Sequence, residues 1–136
     1  MQICKYADMQ MTNVQMNVLF MENDKKNVIL ELTFSFALKI IKYVEDLEDA
    51  KKFVIAKQLL RSGTSIGANV REAQSAESKS DFIHKIKIAE KEAEESEYWL
   101  LLCQHSKNYP FSPTLIEEIV SIKKILSKII TSSKKN

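Results

Sequence analysis

The 136-residue chain is 45% hydrophobic and 28% charged, with two glycines, two prolines and a net charge of +2. So few turn formers argue against β-rich and loop-rich folds, and the near-neutral balance singles out no class of partner. One domain burying roughly two-thirds of its unfolded surface is expected, and the widely separated Cys4 and Cys103, without metal-ligand spacing, read as reduced thiols of a cytoplasmic protein.

Residues 1–27 are rich in Met and Asn and carry one short apolar run, Val18-Leu19-Phe20-Met21. The run is too short for a signal-peptide core or a membrane span, and no later segment approaches spanning length, so no membrane partner is expected. The stretch reads as a poorly ordered extension from which Leu19 and Phe20 could dock, with Met21 as an alternative start. A bundle is assigned to residues 28–131 and a basic tail to 132–136.

The first helix is predicted from about Leu30 to Glu48, with Thr33 a possible cap and Phe36, Ile40, Tyr43 or Val44, and Leu47 as its seam. The polar run that follows contains neither Gly nor Pro, and the turn is placed near Asp49. The second helix is predicted from about Lys51 to Glu77 and shows two apolar seams. One runs through Phe53, Ala56, Leu60, Gly63, Gly67, Val70 and Gln74, the other through Leu59, Ser62, Ile66, Asn69, Ala73 and Ala76. Two glycines inside a helix cost about 1 kcal/mol each relative to alanine, which close approach by another helix offsets; a kink at Ser62-Gly63 is the alternative. A phosphate-binding loop is excluded, because GTSIG lacks the Lys-Ser/Thr pair and follows no strand.

Ser78 and Asp81 form a capping-box variant opening the third helix, whose seam is Phe82, Ile86, Ala89, Ala93, Ser96, Leu100 and Cys103. Its middle is made of small residues, as is the middle of helix two. Ser112 caps a fourth helix with Pro113 in its first turn and Leu115, Ile119, Ile122, Leu126 and Ile129 as seam. Four helices with short connections predict an all-α, antiparallel up-down four-helix bundle.

LTFSFALKIIKYVEDL, followed by QLLRSGTSIGANVREAQSAESKSDFIHKIKIAEKEAEESEYWL, resembles the bacterial four-helix-bundle family encoded in intervening sequences of large-subunit ribosomal RNA genes. The likeness covers about residues 27–130 and is most specific at SIGANVREA and at Ser78, Lys79, Phe82, Ile83, Ile88 and Ala89. That family is similar in fold to the accessory protein of diversity-generating retroelements, which binds nucleic acid and a reverse transcriptase. The resemblance implies a ring-like homo-oligomer, a pentamer by analogy, with no catalytic activity and no cofactor. It agrees with the two-seam reading of helix two, in which one seam closes the subunit core and the other meets a neighbouring chain. Candidate subunit-interface residues are Gly63, Ile66, Gly67, Asn69, Val70 and Glu72. Asn69 either fixes register across that interface or bonds a nearby backbone group, and Glu72 either crosses it or is solvated.

Up-down topology divides the charge unequally. The end holding the helix two–three turn and the close of helix four collects eleven basic side chains against five acids, +6, and the opposite end eight against eleven, −3. Candidate nucleic-acid contacts are Arg71, Lys79, Lys85 and Lys87, assisted by Lys123, Lys124 and Lys128. Five copies would carry a collar of about thirty positive charges, a field that attracts phosphate backbones without reading sequence. The expectation is therefore a non-enzymatic homo-oligomer engaging RNA or DNA through its basic end. The alternative is a protein-interaction scaffold or accessory subunit for a nucleic-acid enzyme, without direct nucleic-acid contact. A carboxylate metal site would need inward Glu-x-x-His pairs on two helices, and the chain offers a single Asp81-x-x-His84. Glu90, Glu94 and Glu97 share a face with no histidine among them and read as solvated. No nucleophile–base pair stands out.

Overall fold

The 3,4 spacing of apolar residues, uninterrupted by Gly or Pro outside α2 and the last loop, folds into four helices: α1 (Asn13–Asp49), α2 (Phe53–Ala73), α3 (Lys79–His105) and α4 (Pro113–Lys134). The computed structural model describes the backbone of residues 13–135 and the side chains of residues 28–135. No strand occurs among the described residues. Each helix packs antiparallel on its sequence neighbour, and α1 also packs on α4, so the four occupy the corners of a square with α1 diagonal to α3.

The core lies where the four seams meet. Phe36, Ile40 and Leu47 of α1, Leu59 and Ile66 of α2, Ile86 and Leu100 of α3, and Ile119, Ile122 and Leu126 of α4 are all withdrawn from solvent. Each contributes about 1.5–3 kcal/mol by burial. The expected seams of the third and fourth helices are buried at every position. Between α2 and α3 the small residues meet as anticipated: Ser96 Oγ donates to Ser62 Oγ at 2.9 Å inside the core.

The caps follow the sequence where a side chain supplies them. Ser78 Oγ accepts from the Asp81 amide at 3.0 Å and Ser112 Oγ from the Leu115 amide at 3.2 Å, with Pro113 at the start of α4. Asp81 completes its box one residue further out, accepting from the Glu77 amide at 3.1 Å.

Three boundaries differ from expectation. Helix α1 begins at Asn13 rather than near Leu30, since nothing in the intervening sequence breaks a helix. Thr33 is therefore no cap: it is buried mid-helix, and its hydroxyl donates back to the Ile29 carbonyl at 2.7 Å. The loose order and docking expected of residues 1–27 fall on side chains outside those described. Helix α2 spans Phe53–Ala73 rather than Lys51–Glu77. At its end the amides of Gln74, Ser75 and Ala76 turn to carbonyls three residues back, tightening the last turn. The α1–α2 turn does sit at Asp49, and it is closed by backbone. Lys51 adopts φ 63°, and the Lys51 and Lys52 amides donate to the Glu48 and Leu47 carbonyls at 2.8 Å each. That is a Schellman closure with lysine at the position glycine usually takes.

The subunit-interface reading of α2 requires correction at Gly63, Ile66 and Val70. Ile66 and Val70 are fully buried within one chain, and Gly63 is buried against α1. A Cβ on Gly63 would lie 2.9 Å from Ile40 Cγ2, and one on Gly67 would lie 3.3 Å from Thr33 Oγ1. The close approach that the glycines permit is thus made by α1 of the same chain. Helix α2 runs unbroken through Ser62-Gly63. Asn69 donates to its own helix, Nδ2 to the Ser65 carbonyl at 2.9 Å, and Glu72 pairs with Lys85 of the same chain. The middle of each α2 seam closes the chain itself, Gly63 and Gly67 on α1 and Ser62 on α3, while Phe53 and Leu60 of the first seam stand exposed.

Candidate nucleic-acid interface

The α2–α3 turn and the last turns of α4 share one end of the bundle. Arg71 stands in the final turn of α2 and Lys79 opens α3. Lys85, one turn on, reaches across to Glu72 Oε1 at 3.1 Å, so its charge is already matched. Lys87 is exposed on α3, and Lys124 and Lys128 are exposed one turn apart on the outer side of α4. Ser127 Oγ donates to Glu90 Oε2 at 3.1 Å and ties this part of α4 to α3.

Lys123 does not belong to this group. Its ammonium is held between two carboxylates of α3, Glu94 and Glu97, the latter at 2.6 Å. The bonds to Glu94 and then Glu97 raise its pKa above the ordinary lysine range and hold it charged. Glu94 and Glu97, expected to be solvated, instead anchor α4 to α3. The glutamate row was visible in the sequence, but its partner depended on the stagger between two helices, which apolar spacing leaves open.

A second polar cluster ties α2 to α3 in the middle of the bundle. Arg61 donates to Glu95 Oε2 at 2.6 Å and lies 3.2 Å from Glu92 Oε1, while Trp99 Nε1 donates to the same Glu95 oxygen at 3.0 Å. The Arg61 bond, followed by the Trp99 bond, holds the Glu95 carboxyl below its usual pKa. Arg61 is thereby committed to a structural pair.

At the opposite end an open cavity of about 260 Å³ lies between α1 and the α3–α4 loop, lined by Tyr43, Pro110, Phe111 and Leu115 with Lys39, Lys42 and Asp46 beside them. Lys39 is bound to Glu118 at 2.6 Å, and the Tyr43 hydroxyl donates to the Pro110 carbonyl. Burial pushes the Tyr43 phenol and the neighbouring Cys103 thiol upward. Among the described residues no three His, Cys, Asp or Glu side chains converge on a metal-sized site. No helix among them is long and apolar enough to cross a membrane.

The family model for the 23S rRNA-intervening sequence protein matches residues 25–129, which take in most of α1, all of α2 and α3, and α4 to within five residues of its end. The chain belongs to this family. Among solved structures it is similar to a protein of unknown function from the S23 ribosomal protein family of Bacteroides thetaiotaomicron. The two share 42% sequence identity and a TM-score of 0.74, over 79% of this chain and 98% of the other. No match is found among curated proteins. The intervening-sequence family, expected from SIGANVREA and the Ser78–Ala89 element, and the four-helix fold, expected from the apolar spacing and short connections, are both established.

Proposed function

We propose that the protein is a non-enzymatic homo-oligomer, pentameric by analogy, that engages the phosphate backbone of RNA or DNA through its basic end. The observation that carries this reading is the set of exposed lysines Lys87 on α3 and Lys124 and Lys128 on α4, with Arg71 and Lys79 flanking the α2–α3 turn. Lysines on helix surfaces give point-charge contacts to phosphate and no fork for reading base edges, so binding is sequence-tolerant and governed by counterion release. Lys85 and Lys123 contribute little, because each would have to leave a carboxylate first.

An electrophoretic shift of a structured RNA at low salt tests it. The wild type is expected to bind, the triple substitution Lys87→Glu, Lys124→Glu, Lys128→Glu to abolish the shift, and Lys123→Gln to leave it nearly unchanged. Binding unaffected by the triple substitution would remove the site assignment. No shift by the wild type at any salt concentration would overturn the nucleic-acid reading in favour of an accessory protein that touches only another protein.

A further inference from the structure

With the glycines committed to the subunit's own core, the surface through which copies meet has to lie elsewhere. Four apolar side chains stand exposed on the outer side of α1 and the adjoining edge of α2: Phe34 at 61%, Leu38 at 54%, Ile41 at 43% and Leu60 at 38%. The three on α1 follow an i, i+4, i+7 spacing, a second helical stripe turned away from the core seam. The Ile40–Gly63 approach brings Leu60, one turn before Gly63, level with this stripe. Together they leave on the order of 400 Å² of apolar surface, in the range where a monomer's largest patch is often functional.

A second, unlike patch lies on α3, at the diagonally opposite corner. Tyr98 is 56% exposed and Leu102, one turn on, 36%. Tyr98 is braced edge-on by Trp99, ring centroids 5.4 Å apart, and Trp99 is itself fixed by Glu95. A braced aromatic loses little freedom on contact and is the residue type that anchors interfaces. The two patches lie at similar heights along the bundle, since Ile40 and Gly63 share a level with the Ser62–Ser96 bond and Tyr98 follows Ser96 by about 3 Å of helical rise.

We propose that the Tyr98–Leu102 patch of one copy seats on the Phe34–Leu38–Ile41–Leu60 face of the next, a heterologous contact that repeats from copy to copy. This rests on the homo-oligomer reading above and assigns its surfaces. Two unlike patches on opposite corners of one chain can pair in sequence around an axis parallel to the bundle, whereas pairing either patch with its own copy would stop at a dimer and leave the other uncovered. Similar height favours closure into a ring over a climbing filament. A stable interface needs about 800 Å² per partner, which an apolar centre of this size with a polar rim supplies.

Two variants blocked on opposite sides test it by light-scattering mass. Leu38→Glu disables the α1 face and Tyr98→Glu/Leu102→Glu the α3 face; Phe34→Glu and Tyr98→Glu alone serve as substitutes if either unfolds by circular dichroism. The wild type is expected at a multiple of the chain mass and each variant as a monomer. Their equimolar mixture is expected as a dimer and nothing larger, because only one good pair of faces remains. A mixture that stays monomeric, or an α3-face variant that assembles fully while the α1-face variant does not, would overturn the heterologous contact. Variants that assemble like the wild type would overturn the choice of surfaces while leaving self-assembly intact, whereas a monomeric wild type would overturn self-assembly itself.

Discussion

Gly63 and Gly67 look equivalent in sequence, four residues apart on one helix, yet they meet different neighbours. A methyl at Gly63 would press on Ile40 Cγ2 at 2.9 Å and Cγ1 at 3.0 Å, two atoms of a fully buried branched side chain that has nowhere to move. A methyl at Gly67 would meet Thr33 Oγ1 at 3.3 Å and its Cβ and carbonyl at 3.4 Å, a tight fit that a shift of a few tenths of an ångström relieves. Either substitution recovers about 1 kcal/mol of helix propensity, but overpacking a core costs about 1–3 kcal/mol. Gly63→Ala is therefore expected to destabilise by roughly 1–2 kcal/mol, and Gly67→Ala to fall within about 0.5 kcal/mol of the wild type, both by chemical denaturation. Restoration of Gly63→Ala by Ile40→Ala in a double-mutant cycle would locate the strain at that contact. The spacing of the glycines was readable as a demand for close approach. Which helix approaches was not, since a small residue records the absence of volume and says nothing of whose side chain fills the space.

At the scale of elements, what could be read depended on whether side chains or backbone carried the signal. The third and fourth helices open on serines whose hydroxyls cap them, and their starts were legible. The α1–α2 turn is closed by backbone bonds around Lys51 at φ 63°, a left-handed conformation in a run with no glycine to announce it. The same reasoning predicts a gain. Lys51→Gly relieves the Cβ penalty at a position where glycine is the ordinary occupant, and should stabilise the bundle by about 0.5–1 kcal/mol despite the greater freedom it gives the unfolded chain. An unchanged or lowered denaturation midpoint would mean that Lys52, whose ammonium sits 4.7 Å over the Tyr109 ring, or other contacts of the turn depend on the lysine at 51. The fate of the charged rows was legible only in part for a related reason. Composition assigns lysines to one end of the bundle, but the α3–α4 stagger decides that Lys123 meets Glu94 and Glu97 rather than solvent.

For the whole molecule, assembly and charge have to be considered together. A single copy presents a modest group of exposed lysines at one end, and the net charge of the chain is only +2. Weak phosphate contacts of this kind lose affinity with a log–log salt slope of about −0.7 to −0.9 per phosphate neutralised, so a monomer touching two or three phosphates binds poorly above low salt. A ring with parallel subunits repeats the same group around one rim, and each added contact becomes intramolecular, which can raise avidity by about 10²–10⁴ without any new chemistry. The Leu38→Glu variant, whose substitution lies on α1 and removes no lysine, should therefore bind structured RNA at least about 100-fold more weakly than the wild type, with a much shallower salt slope. The triple lysine substitution should abolish binding even at low salt while leaving the assembled mass intact. A Leu38→Glu protein that is monomeric yet keeps the wild-type affinity and slope would mean that one subunit carries the whole interface. The basic rim would then be a consequence of the fold rather than the reason for assembling it.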